Sequence, residues 1–373
     1  MTDSTHRLGQ EADEFYHIPV IPPGTDRGTI LRSRAIEAPQ LPDDVTAIQV
    51  VYVSSQSYLE TIPASGTVLI PQQTHTAERL LLVFCPAFRG LGPSCAPSQL
   101  LARGSEPEIS RISAALRRGW TVSIPDGENL GIDLGKPHTW LATRAAAYTA
   151  LDLARAATRL PNGPTTDTPV VVWGYGDGGR TAVAVAEHHL DYAADVAVRG
   201  LAAGAVVSDP GAMADHLDHR PWAGLGLAGL IGLATAYSHL PLLHQLTAAS
   251  RGVVETAATA TIATLWKRYR QPLGQWCARP DPWEDPMWRF VLAREVSGTE
   301  SVPSVPVLLY HGVDDVLVPA EQGFRLAARY RGLGVDVAWR EYPTGHRGAA
   351  AAGVTTALDH LQAHAAHGPT ARH

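Results

Sequence analysis

The hydrophobic positions of this chain fall into two rhythms. In AIQVVYVSSQSYL (47–59) and TIPASGTVLIPQ (61–72) apolar and polar residues alternate, which predicts antiparallel strands. ERLLLVFCPAF (78–88) is an unbroken apolar run, as a central strand covered on both faces requires. PEISRISAALRRG (107–119) reads as a helix ended by Gly119, WTVSIPD (120–126) as a strand, and TRAAAYTALDLARAATRL (143–160) as an alanine-rich helix. VVVWGYGDGGRTAVAVAE (170–187) places a buried strand, a glycine turn and a helix in succession, and VRGLAAGAVVSDP (198–210) adds a strand. Helices and Trp/Pro-rich loops then take over until residue 300. The first rhythm resumes in PVLLYHGVDD (306–315), a helix over 319–334, the strand VDVAWREYPTGH (335–346) and a closing helix, with a frayed tail expected after His367.

Strands alternating with helices, broken once by a helical block, predict an α/β fold: a mainly parallel central sheet with helices on both faces and an inserted helical cap. The divisions expected are an N-terminal arm (1–45), a first core part (46–210), the cap (211–300) and a second core part (301–373). Ligand groups in such a sheet gather at the carboxyl ends of the strands. The most apolar window, WAGLGLAGLIGLATAYSHLPLL (222–243), is near membrane-span length but holds four glycines, His239 and Pro241 and lacks charged flanks. It reads as a buried or cap helix, so no integral membrane association is expected.

Composition narrows the choice further. With 373 residues, 45% hydrophobic and 18% charged, the chain has ample material for a core. A net charge of −6 without a basic run argues against nucleic acid as a partner. The opening MTDSTHRLGQEADEFYHIPVIPPG has no apolar leader segment, which suggests a cytoplasmic protein, or a secreted one whose signal has been removed. Of three cysteines, Cys85 ends an apolar run and reads as a core thiol. Cys95 and Cys277 lie in proline-bearing loops and form a possible disulfide, against which a cytoplasmic setting argues. No Cys/His spacing suits a metal, and the glycines of GYGDGG do not make a dinucleotide fingerprint, so no cofactor is expected.

Candidate chemistry stands at three strand ends. Gly174-Tyr175-Gly176-Asp177-Gly178 has the frame G-x-S-x-G of a nucleophile elbow, with glycine at the apex. Asp314 or Asp315 follows the strand before HGVDDVLVP, and His346 closes YPTGH. Nucleophile position, acid and histidine thus occur in the order of a hydrolase triad.

These motifs, with DEFYHIP, ASGTVLIP, GLGPSCAPSQLLARGSEPE, DGENLG and HTWL, resemble the secretory lipase family of α/β-hydrolases over nearly the whole chain. The resemblance implies a Ser-Asp-His esterase acting on acylglycerols or small acyl esters beneath a helical cap. It places the serine at Gly176, the acid at Asp315 (from D-x-x-V-P) and the base at His346. It also makes Asp177 one oxyanion-hole donor and puts the second in the loop Pro86-Ala87-Phe88, where relatives carry a smaller turn.

Glycine at 176 removes the nucleophile and leaves four readings: a non-hydrolytic catalyst of cyclase, lyase or isomerase type using His346 and Asp315, ester hydrolysis by another route, an inactivated variant, and a non-catalytic binding protein. The first is favoured, with a mainly apolar small-molecule substrate and a role in natural-product biosynthesis. Asp177 lies one residue past the apex, where its carboxylate suits a helix N-terminus by about 0.3–1 kcal/mol and opposes a developing oxyanion. Phe88, Arg89, Tyr175 and Glu128 are the substrate-contact candidates; Arg89 either takes a carboxylate or braces its loop at the surface, and Glu128 either reaches the pocket or serves a structural role.

Overall fold

The computed structural model describes residues 13–72, 79–218 and 220–365. Nine strands form one sheet: β1 (Ile30–Ile36), β2 (Val45–Ser55), β3 (Thr61–Pro71), β4 (Leu81–Cys85), β5 (Thr121–Pro125), β6 (Val170–Tyr175), β7 (Val198–Gly204), β8 (Val307–Gly312) and β9 (Val337–Tyr342). Their order is β1-β2-β3-β5-β4-β6-β7-β8-β9. The first three pair antiparallel, β3 joins β5 antiparallel, and every neighbour from β5 to β9 is parallel. This is the α/β-hydrolase arrangement expected from the alternation.

Helices cover both faces: α1 (Pro97–Ala102), α2 (Ile109–Leu116), α3 (Thr143–Ala157) and α4 (Asp177–Ala193) precede β7, while α10 (Ala320–Gly332) and α11 (His346–Ala365) flank β9. The strands β4 and β6 are buried at every position, and apolar clusters lie on each side of them. One cluster packs Leu151 and Val183 of α3 and α4, the other Leu358 and Leu361 of α11.

Between β7 and β8 run α5 (Pro210–Asp218), α6 (Ala223–Ala236), α7 (Arg251–Ala257), α8 (Ile262–Arg268) and α9 (Pro286–Arg294). Residues 223–236 of the apolar window form α6, buried from Ala223 to Leu233, while the window's end, with His239, Pro241 and Leu243 exposed, lies outside the helix; among the described residues no helix is long and apolar enough to cross a membrane. The layer shares an apolar cluster with Phe88, Trp140 and Val318 of the sheet's loops. It is also stitched to the loop after β4 by main-chain bonds: Leu91 N–H donates to Ala260 C=O at 3.0 Å, and Ile262 N–H to Arg89 C=O at 2.9 Å.

Two elements escaped the sequence reading. Residues 30–36, placed in the N-terminal arm, form the edge strand β1, whose apolar pattern is interrupted by Arg32, which donates to the carbonyls of Glu14 and Phe15, and by Arg34, which donates to Gln49 and Asp13. Helix α1 has six residues, too few for a helical period to register. The first twelve residues of the arm and the tail after His367 lie outside the described residues.

Candidate active site

The turn from β6 into α4 is set by close main-chain contact. A β-carbon on Gly174 would lie 2.0 Å from Gly178 C=O, and one on Gly178 would lie 2.1 Å from Cys85 C=O. Only hydrogen fits at either place. Gly176 differs. Its φ of 63° is left-handed, a region costing other residues about 1–3 kcal/mol, yet a β-carbon there would meet only His346, at 3.5 Å from Nε2 and 3.6 Å from Cε1. Those are ordinary contact distances, so the apex has room for a side chain and carries none.

His346 opens α11, and its Nδ1 lies 2.6 Å from Asp315 Oδ2. The other Asp315 oxygen accepts from the N–H groups of Leu317 at 3.0 Å and Val318 at 2.9 Å, so the carboxylate is fixed on both sides. A proton on Nδ1 satisfies Asp315 and leaves Nε2 as an acceptor facing Gly176. Asp314, the alternative acid, donates its N–H to Thr344 and makes no bond to His346. The nearby His311 is buried; burial pushes its pKa down, and its Nε2 bonds the Val318 carbonyl at 2.9 Å.

Around this point lies a cavity of about 520 Å³. Gly176, Asp177, His346 and Arg347 line it, with apolar walls that include Phe88, Trp140, Leu225, Trp266, Trp283 and Leu317. Phe88, expected at the pocket wall, is there, stacked on Trp140 with ring centres 4.2 Å apart.

The remaining candidates are placed differently. Ala87 lines the cavity, but its N–H donates to Glu108 Oε2 at 2.7 Å and is withdrawn from any ligand. The N–H groups of Phe88 and Asp177 have no acceptor among the described residues. Arg89 also lines the cavity, yet it does not offer a free charge: Glu106 and Glu108 each accept from it at 2.5 Å, and it donates to Ala87 C=O at 2.9 Å. Tyr175, expected at the substrate, lies outside the lining; its hydroxyl donates to the His346 carbonyl at 2.7 Å and its ring meets the imidazole edge-on at 4.9 Å. Glu128 likewise lies outside it, accepting from Thr139 at 3.2 Å, with burial pushing its carboxyl up to about 7. Removal from water also raises Asp177, to about 6, against the pull of Arg180.

The possible disulfide does not form. All three thiols are free and buried, Cys95 against Ala96 and Leu130 and Cys277 within the helical layer's apolar cluster. Hydrophobic packing, not a bridge, accounts for both. Among the described residues no cluster of His, Cys, Asp or Glu is suited to a metal ion.

Sequence reasoning missed Glu108 and Trp140. The acids of GSEPE, close in sequence to an arginine entering the core, were the available signal for the first; nothing local marked the second.

Comparison with known proteins gives concordant results. A family model described as secretory lipase matches residues 96–372. A probable inactive lipase of Mycobacterium tuberculosis (strain CDC 1551 / Oshkosh) is 28% identical over 344 residues, covering 88% of this chain and 76% of that relative. Lipase A of Arthroderma benhamiae (strain ATCC MYA-4681 / CBS 112371) is 28% identical over 355 residues, 88% of this chain and 73% of its own. The trichothecene C-3 esterase of Fusarium sporotrichioides is 24% identical over 373 residues, with 92% and 80% covered. Among solved structures, Candida antarctica lipase A matches with a TM-score of 0.84 at 19% identity, covering 97% of this chain and 87% of that one.

Proposed function

We propose that this chain, which belongs to the secretory lipase family, is a member without the serine nucleophile that encloses a mainly apolar small molecule and moves protons on it. The observation that carries this reading is the direction of His346: its Nε2 faces the space at Gly176 where a hydroxyl would stand, with Asp315 holding the opposite nitrogen at 2.6 Å. A histidine so oriented is a general base, and such proton transfer contributes roughly 10²- to 10⁴-fold.

The reaction class follows from what the site offers. His346 takes a proton from carbon or oxygen of the bound molecule, and the unengaged N–H groups of Phe88 and Asp177 are donors for the oxygen on which charge develops. The helical layer over residues 211–300 serves as the cap that confines the molecule; confinement in a reactive pose lowers a barrier by up to about 7–11 kcal/mol. Isomerisation, elimination and cyclisation all fit this equipment, and none needs a covalent intermediate or a cofactor.

A second reading, hydrolysis by a water molecule held at Gly176 and activated by His346, is favoured by the same unfilled space and by relatives named lipases and an esterase. One experiment separates the two. The protein is incubated in D₂O with 2-decanone and, in parallel, with a nitrophenyl butyrate. Deuterium beside the carbonyl that disappears in His346→Ala, with no nitrophenol released, is the expected result. Nitrophenol release without exchange would establish the second reading, and an acylated protein detected by mass would overturn the first.

A further inference from the structure

We infer that the cavity selects an amphiphile with an anionic head group, and that Arg347 is the residue that recognises the head. This rests on the reading of the cavity as the substrate site and names the class of molecule it takes.

Four side chains that can carry charge line the cavity: Arg89, Asp177, His346 and Arg347. Three are answered within the protein. Arg89 is held by Glu106 and Glu108, His346 by Asp315, and Asp177 has Arg180 beside it. Arg347 is not: it is exposed, and among the described residues no carboxylate or other acceptor pairs with it. The rest of the wall is apolar, so one uncompensated positive charge stands at the solvent-reaching side of a space of about 520 Å³, which falls in the usual range of about 300–1,000 Å³ for small-molecule sites.

That arrangement divides a ligand in two. The apolar body gains by leaving water for the walls formed by Leu225, Trp266 and Trp283. An anionic head gains at Arg347, where it keeps contact with water and avoids the desolvation that burial would impose. Asp177, which also lines the cavity, opposes an anion beside it whenever its carboxyl, pushed up to about 6 by burial, is ionised. The head is therefore driven to the Arg347 end and the chain to the interior. A neutral ester has no use for the arginine.

The test is a fluorescence titration of the full chain with cis-parinaric acid and with its methyl ester, at several salt concentrations. The acid is expected to bind at least tenfold tighter than the ester at low salt, and the advantage to shrink as salt rises. Arg347→Gln removes the preference while leaving ester affinity within twofold. Arg347→Lys restores part of it, and Arg117→Gln, an exposed arginine outside the lining, changes nothing. Displacement by decyl sulfate and decyl phosphate against decanoate tells which anionic head is preferred. Equal binding of acid and ester by the unaltered protein, or equal loss of both in Arg347→Gln, overturns the inference and leaves the proton-transfer reading standing. Preference for the acid without deuterium exchange on 2-decanone does the reverse. If neither probe binds, both fall.

Discussion

The imidazole Nε2 of His346 stands 3.5 Å from the point that a β-carbon on Gly176 would occupy. Apart from the glycine and its two chain neighbours, no other described residue lies within 4 Å of that point, so the turn keeps the outline of a side chain it does not have. The supporting parts persist as well: Asp315 fixed by two N–H groups, and Tyr175 bracing the backbone of His346.

Gly176→Ser should therefore create an esterase. The serine hydroxyl falls within reach of His346, and hydrolysis of nitrophenyl butyrate should rise at least tenfold, with an acylated protein visible by mass spectrometry. The rate should stay well below that of a complete hydrolase, because the Asp177 side chain also lines the cavity and its carboxylate opposes the charge developing on an oxyanion. Strain at a φ of 63° should lower stability by about 1–3 kcal/mol in urea unfolding. A folded variant with neither activity nor adduct would show that the apex does not face the base.

Gly226→Leu tests the cavity from the opposite wall. Gly226 lies in α6 and lines the space, and a β-carbon there would meet only Trp283, at 3.7 Å. A leucine fits the backbone, removes the helix penalty of glycine, about 1 kcal/mol, and projects into the void. Thermal stability should hold or rise while binding of cis-parinaric acid falls at least tenfold. Unchanged binding would place the ligand elsewhere.

Glu128 should contribute a stability that declines towards neutrality. Burial raises Glu128 from 4.5 to about 7, so between those values the folded state holds a proton that the unfolded state has released. The stability it contributes is complete below 4.5 and lost as pH rises through 7, at most about 3 kcal/mol. Glu128→Gln, which can still accept from Thr139, should match the unaltered protein near pH 4.5 and exceed it by about 1–3 kcal/mol at pH 8. Parallel melting curves across that range decide the matter.

Glu295 ties the helical layer to the sheet. Its Oε2 accepts from Thr143 N–H at 2.9 Å and Oγ1 at 2.7 Å and lies 3.2 Å from Arg180, while Tyr237 donates to Oε1 at 2.8 Å. Arg180 is 2% exposed, so Glu295→Ala removes its ion-pair partner and leaves it the carbonyls of Leu141 and residue 295 with Asp177 nearby, which should cost up to about 3–5 kcal/mol. Glu295→Gln keeps the hydrogen-bond geometry and should cost less. Hydrogen exchange over 223–294 should quicken in the alanine variant before the sheet opens.

The sequence made the parallel half of the sheet legible because strands buried on both faces, such as β4 and β6, are continuous apolar runs. The elbow glycines and the pair Asp315 and His346 were legible too, since each follows a strand at its carboxyl end. What escaped depends on encounters across long separations. Glu108 reaches back to Ala87 and Arg89 only because α2 packs beneath the loop after β4. Glu128, for which the sequence left both a pocket and a structural role open, turns to Thr139. Periodicity reports which face of an element is covered, and says nothing of which neighbour covers it.

The two main-chain bonds between residues 89–91 and 260–262 make the roof and one wall of the chamber a single mechanical piece. A displacement of residues 260–262 would therefore be passed to the segment that carries Phe88. The helical layer and the loop after β4, which line the same cavity, are thus positioned together rather than independently.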